Sequence, residues 1–459
     1  MRRLSPLISA VALALVLSAL AVGCGGANDK PGLVTSWGKD GAVQLPGFEV
    51  RQTIEDRSGR IVAVGNYKGN YAQVVRLLPN GSLDSSFGKD GVVRWPFHMF
   101  QGRFPHGMDY LGWDEAALLP DGRIALAGTN IVGLVDDEST LVVSEIDQSG
   151  KVVGSFGQNG YFTADKRLYD CSKIGKGCER QFYALARKKT TCTRGPTGLA
   201  VQGEKIVVSA NRFCELSDPH HIVVMRLNAN GTLDMSFGNK GEVIVSGAAS
   251  LADEYIDPLL ALPNGHLVVS GTTPKGGNVQ LTGLLENGAF DSHFGRKGVA
   301  LTRVATDSRG IHALDALLED KHGILSLTGS TDDGPFLVRF DTSGDPVNFW
   351  AGSPWTPWIN AESNSENFGG AFGLASAAIV APPNFAQLPS GELVGAGALL
   401  ARIKPNGAID PSYPPQQMYG AGKLRNKGLL VTSDGTVLVT LLEYHTVPGT
   451  FTTYLARYR

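Results

Sequence analysis

Apolar and polar positions alternate in short runs along most of the chain, and turn residues separate the runs at regular distances. ALLPDGRIALAG (Ala117 to Gly128), LALPNGHLVVSG (Leu260 to Gly271) and AQLPSGELVGAG (Ala386 to Gly397) each set a Gly-containing turn between two apolar runs. Asp-Gly or Asn-Gly in that setting is a strong hairpin signal. TIEDRSGRIVAVG, LAVQGEKIVVSA, LLEDKHGILSLTG and LVTSDGTVLVT bring the hairpins to seven. The pattern predicts short antiparallel strands throughout.

A second element follows the hairpins. Arg76 to Val93 reads RLLPNGSLDSSFGKDGVV. Gly81, Gly88 and Gly91 recur with the same spacing as Gly150, Gly157 and Gly160, as Gly231, Gly238 and Gly241, and as Gly288, Gly295 and Gly298. Phe87, Phe156, Phe237 and Phe294 precede the middle Gly each time. Glycines at fixed offsets imply turns that need positive φ, and the Phe reads as a plug burying the turn against its own sheet. Weaker copies lie near Gly344 and Gly407. Each unit then holds a hairpin, a third strand such as QVVRL and a fourth such as GVVRW, which is a propeller blade.

The ends favour a closed ring over an open solenoid. The chain finishes on a hairpin and a third strand, TTYLARYR, without a fourth. Near its start, TSWGKDGAVQLPG (Thr35 to Gly47) supplies the missing turn and strand, with Trp37 in the Phe place. The expected fold is an all-β, seven-bladed β-propeller whose last blade is completed by the N-terminal strand, a closure that removes unpaired edges. The LPNGSLDSSFGKDGVV pattern with its upstream PDGRIALAG resembles the delta-60 repeat family of bacterial surface and secreted proteins. That resemblance implies a propeller-like array and carries over no catalytic residues. The copies after Gly344 depart from it.

Residues 1–23 read as a lipoprotein signal peptide. Arg2 and Arg3 precede an uncharged apolar run, Leu4 to Leu20, and Ala21-Val22-Gly23-Cys24 resembles the bacterial lipobox. Lipidation at Cys24, a flexible tether over residues 24–33 and a propeller over 34–459 complete the expected organisation. A plain cleaved secretory signal and an uncleaved anchor are the competing readings. An acylated Cys24 makes the lipid bilayer a partner, with the folded body on the periplasmic or cell-surface side.

The remaining cysteines, Cys171, Cys178, Cys192 and Cys214, are even in number, as disulfides in an exported chain require. Three pairings are open, and zinc is the competing use. Cys171, Cys178 and Cys192 sit in the insertion 163–196, where nine Lys or Arg face three Asp or Glu between Asp165 and Arg194. A basic loop meeting an anionic surface and a stapled solvated loop both fit. The whole chain balances 41 basic against 43 acidic groups, so no nucleic-acid partner is expected.

Two sets of residues are candidates for function. Trp113 and the cluster Trp350, Trp355 and Trp358 lie in connections rich in aromatics and suit contact with a glycan or an envelope protein. Counting eight residues back from each hairpin Gly gives Arg51, Asp114, Gly195, Asp257, Asp315, Pro383 and Lys427 on the strands expected to line the channel. Asp114, Asp257 and Asp315 are the candidate ligands for Ca2+; no other cofactor is expected. Asp84, Asp234, Asp291 and Asp410 read as Asx-turn residues, with Arg76, Arg226, Arg339, Arg402 and Arg457 pairing with turn carboxylates or carbonyls. No GxSxG, HExxH or phosphate-binding loop occurs. The expected role is a non-catalytic binding or scaffold propeller at the cell envelope, and the rival is an exported metal-dependent hydrolase or lyase working at the channel mouth.

Overall fold

The structure, a computed structural model of the chain, describes residues 32–68, 71–95, 110–131, 139–164, 193–212, 221–245, 258–273, 277–304, 311–331, 334–351, 384–388, 390–396, 399–404, 410–420, 424–445 and 450–459. Alternating runs of β-branched residues set between glycine turns fold into four-stranded antiparallel sheets. Blade one holds β2 (Phe48–Glu55), β3 (Ile61–Tyr67), β4 (Tyr71–Leu77) and β5 (Val92–Arg94). Blade two holds β6 (Tyr110–Leu118), β7 (Ile124–Ile131), β8 (Ser139–Ile146) and β9 (Tyr161–Thr163). Blade three is β10 (Thr193–Gln202), β11 (Lys205–Arg212), β12 (His221–Leu227) and β13 (Glu242–Val245). Blade four is β14 (Leu259–Ala261), β15 (Leu267–Thr272), β16 (Asn278–Leu284) and β17 (Val299–Arg303). Blade five is β18 (Ile311–Glu319), β19 (Leu325–Thr331), β20 (Gly334–Phe340) and β21 (Pro346–Ala351). Blade six is β22 (Asn384–Gln387), β23 (Leu393–Ala396), β24 (Leu399–Ile403) and β25 (Gln416–Gln417).

Blade seven is built from both ends of the chain. Its order is β1 (Ala42–Pro46), β28 (Phe451–Tyr458), β27 (Val437–Tyr444) and β26 (Arg425–Val431). β1 pairs antiparallel with β28, Ala42 opposite Ala456 and Leu45 opposite Thr453. The expected closure is therefore present, and the fold is a seven-bladed propeller. First strands of successive blades contact one another around the ring, including β2 against β26, so they form its inner wall.

The core is divided by seam rather than by blade. Val62, Val74, Trp113, Leu126 and Val142 form one cluster between blades one and two. Leu438, Leu455, Trp37, Phe48 and Val75 form another between blades seven and one. Middle strands such as β3 are buried on both faces, which explains why IVAV reads as a continuous apolar run.

Each Phe-Gly turn also fastens its blade to the next. The Gly88 N–H donates to the Ser149 carbonyl at 2.7 Å, Gly157 to Asn230 at 2.7 Å, Gly238 to Asn287 at 2.8 Å and Gly38 to Asn80 at 3.0 Å. The Arg of the third strand reinforces this. Arg76 donates through Nε to Asp84 Oδ2 at 2.8 Å and through Nη1 to the Gln148 carbonyl at 2.7 Å, and its guanidinium lies 4.4 Å from the Phe87 ring. Arg226 repeats the pattern with Asp234, the Glu286 carbonyl and Phe237. At the closure Arg457 reaches the Pro79 carbonyl of blade one at 2.9 Å.

The Phe does more than bury the turn against its own sheet, because the ring also floors the next blade's turn. A Cβ on Gly150 would fall 3.0 Å from Phe87 Cε2 and 2.6 Å from Val93 Cγ2. At φ 85 the backbone there favours glycine as well.

Within the turns, Asp84 Oδ1 accepts from Ser86 N and Oγ at 3.0 and 2.6 Å, and Asp234 does the same with Ser236. Burial pushes the Asp84 carboxyl up, but the Ser86 and Arg76 bonds outweigh it and hold it below the usual range. These aspartates are structural, as the sequence suggests.

Candidate functional site

The inner wall carries a bulge at one repeated place. Register slips between Val50 and Gln52, Trp113 and Glu115, Pro196 and Gly198, Leu314 and Ala316, and Asn426 and Gly428. The residues set out of register are Arg51, Asp114, Thr197, Asp315 and Lys427. Four of these are the positions reached by counting back from the hairpin Gly. Blade three differs because its turn, Gln202-Gly203-Glu204-Lys205, is shorter, so the place counted as Gly195 belongs to Thr197. Asp257 and Pro383 lie outside the described residues. A bulge leaves one residue unpaired and re-aims its side chain, which suits residues facing a channel.

The Asp114 carboxylate accepts from Thr129 Oγ1 at 3.2 Å. Burial pushes it up to about 6 against the opposing pull of Arg51. Beside it, Glu115 is buried at the seam with blade one, where Gln52 Nε2 donates to Oε2 at 2.9 Å. Gln52 Oε1 in turn accepts from the Ala116 N–H at 2.5 Å. Burial, then the neighbouring Asp114 charge, pushes Glu115 to about 8. Asp315 is raised to about 7 by burial, and its Oδ2 is sealed without a partner among the described residues while other parts of the residue remain accessible.

Asp114 and Asp315 stand in blades two and five, which are not neighbours in the ring. Among the described residues no three Asp, Glu, His or Cys side chains converge in a way that could hold a metal ion. The Ca2+ expectation thus has two of its three carboxylates on blades that are not adjacent, with Asp257 outside the described residues.

A cavity of about 380 Å3 opens where the first hairpins of blades one, five, six and seven meet, lined by Glu55, Glu319, Asp320, Lys321, Gln387 and Ser433 among others. Glu55, Glu319, Gln387 and Val431 occupy one repeat position, four residues before the hairpin glycines Gly59, Gly323, Gly391 and Gly435. Counting back from the hairpin for channel residues stopped at the bulge and missed this higher tier, though the same count would have found it. Glu55 ties the ring closure, accepting from Ser433 N at 2.6 Å and Ser433 Oγ at 3.1 Å.

Trp113 is corrected. It lies in β6 with none of its surface exposed, edge-on to Trp95 at 5.3 Å between ring centroids. It is a seam residue, and the ligand contact expected of it has no exposed surface to act through. Trp350 lies in β21, and Trp355 and Trp358 fall outside the described residues, as do Cys24, Cys171, Cys178, Cys192 and Cys214. Of the insertion bounded at 163–196, Thr163 ends β9 and residues 193–196 belong to β10, so only 165–192 fall outside the described residues. The turn between the first and second strands of a blade and that between its third and fourth lie at the cavity end, and the turn between the second and third lies at the other. The strand ends flanking 96–109, 165–192, 246–257, 305–310 and 352–383 lie at the opposite end.

Residues 57–87 and 205–237 match the model of a domain of unknown function described as a beta-propeller. Among solved structures, the polysaccharide lyase Uly1 is similar at 11% identity, with 89% of each chain covered and a TM-score of 0.48. A subtype N10 neuraminidase-like protein of A/little yellow-shouldered bat/Guatemala is similar at 11% identity over 75% of this chain and 93% of that one, with a TM-score of 0.38. No curated protein matches.

Proposed function

We propose that this chain is an exported binding protein, held at the cell envelope by a lipidated Cys24, whose propeller serves as a non-catalytic receptor or scaffold. The observation that carries this reading is the cavity of about 380 Å3 shared by four blades at one mouth of the ring. That volume falls within the range of small-molecule sites. Carboxylates, an amide, hydroxyls and one lysine line it, a set suited to a hydroxyl-rich ligand such as a glycan fragment. The fastened seams support the reading too, since a rigid wall presents such groups without an ordering cost.

The leader, Arg2-Arg3 followed by an apolar run and Cys24, supports export and bilayer attachment. Cys171, Cys178, Cys192 and Cys214 fit two disulfides in an oxidising compartment. Trp350, Trp355 and Trp358 offer a second contact surface for glycan or envelope protein. Capture of soluble envelope fragments by the leaderless protein tests the mouth. Ser433→Trp, at the exposed lip, is expected to abolish capture, and unchanged capture would overturn the assignment.

A second reading, an exported hydrolase or lyase, is favoured by one observation. Asp114, Glu115 and Asp315 are carboxyls raised into the range of about 6 to 8 on the inner wall, where acid–base sites characteristically tune such groups. Metal analysis with thermal melts in the presence and absence of chelator tests the Ca2+ form of it, with Asp114, Asp257 and Asp315 as ligands. No bound metal and no shift would remove it.

A further inference from the structure

The side chains of the mouth cavity differ in how far they are already committed. Both Glu55 oxygens are taken by Ser433. Asp320 is taken as well. Its Oδ2 accepts from Arg339 at 2.7 Å, and its Oδ1 accepts from the His322 and Ile324 N–H groups at 2.9 Å each. Glu319 is different, for among the described residues it has neither a hydrogen-bond nor an ion-pair partner. Burial and then the Asp320 charge push its carboxyl above the ordinary range. Gln387 donates weakly to the Gly391 carbonyl at 3.4 Å, which leaves its Oε1 free to accept. One wall of the cavity therefore presents the Glu319 carboxylate and Gln387 Oε1 as acceptors without a donor among the described residues, and Lys321, which also lines it, is exposed.

A carboxylate held in partly desolvated surroundings gains most from a donor that brings a positive charge. We propose that the mouth cavity receives a primary ammonium group carried on a small hydroxyl-rich molecule, with Glu319 as its counter-charge and Gln387 Oε1 as a neighbouring acceptor. An amino sugar with a free amine has that chemistry. The inference rests on the mouth being the binding site and adds the chemistry of its occupant. Neutral polyols lack the charge that Glu319 calls for, and an N-acylated amine lacks both the charge and two of the donors.

Titration calorimetry in mildly acidic buffer, with glucosamine, N-acetylglucosamine and glucose as probes, decides the matter. Glucosamine is expected to bind saturably, the other two to give no saturable heat, and Glu319→Gln to weaken glucosamine by roughly tenfold or more. Because Glu319 has no partner among the described residues, the variant is expected to melt as the parent does. Should it fail to fold, the contrast between free and acetylated amine on the parent protein still decides. Equal binding of all three probes, or glucosamine binding indifferent to Glu319→Gln, would overturn the proposal. Absence of glucosamine binding while Ser433→Trp still abolishes envelope capture overturns the ammonium and leaves the mouth standing. Absence of both overturns the two readings together.

Discussion

Blades one and two are neighbours with the same strand order, yet they handle charge in opposite ways. In blade one the third strand carries Arg76, its turn carries Asp84, and every group meets a partner within the turn or on blade two. In blade two the Arg place is Glu145 and the Asp place is Val153. Glu145 borrows Arg123 from the hairpin, but its Oε1 stays buried without a partner among the described residues, and burial raises the carboxyl to about 7. Blade two also holds Asp114 and Glu115, both raised, as set out above. A repeat can thus keep its glycines and its Phe while reversing the sign of a buried charge, so long as the hairpin supplies the complement.

The sharpest break of this comparison is Arg76→Ala. It strips Asp84 of a buried partner and blade two of a cross-seam bond, and should cost about 3–5 kcal/mol in denaturant unfolding. Next comes pH. Glu115 has a folded value of about 8, above its ordinary 4.5. Below the ordinary value both folded and unfolded states hold the proton. As pH rises from there to about 8 the unfolded state releases it first, so stability falls, by an amount on the order of a few kcal/mol. Glu115→Gln should flatten that decline in melts run between acid and mildly alkaline pH, and a decline of unchanged slope would rule out this carboxyl as its source.

Glycine substitutions give a finer test. Gly150→Ala meets Phe87 and Val93 across the seam at positive φ and should cost about 2 kcal/mol. Gly154→Ala, with nothing within 4 Å of its Cβ, should stay within about 0.5 kcal/mol. Smaller than the Gly150 effect, and sharpening the comparison most, is a swap. Glu145→Arg together with Val153→Asp rebuilds the blade-one arrangement in blade two, and the new guanidinium should reach the Ala229 carbonyl of blade three. A gain of about 1 kcal/mol is expected for the pair. Glu145→Arg alone, placed against Arg123, should lose stability.

Much of this was legible in the chain because glycine spacing reports backbone geometry directly. Gly81, Gly88 and Gly91 announced the turn, and TSWGKDGAVQLPG announced the closure. What a repeat cannot report is its neighbour. Nothing in the spacing says that Gly150 rests on Phe87, since that contact joins two copies of the motif. Trp113 was misread for a related reason. The run from Trp95 to Trp113 has aromatics and histidines without a strand period, so the start of β6 was hidden inside what looked like a connection. Thr197 was missed because in that shorter hairpin the Gly stands six residues after the bulge, where the count assumed eight. The raised carboxyls were invisible, as burial is a property of the assembled seam. The mouth tier was legible in principle, at a fixed offset from each hairpin Gly, but an offset alone does not say which side chains remain uncommitted.

The pairing of β1 with β28 has a consequence for biogenesis. β1 is among the first strands to be synthesised, and its partner is among the last. For nearly the whole of the propeller's synthesis its backbone donors must wait, exposed, beside a row of blades that cannot yet meet. Loop-closure entropy makes a contact of such sequence separation slow, so the waiting edge is where a nascent chain would pair wrongly with another copy or call on a chaperone.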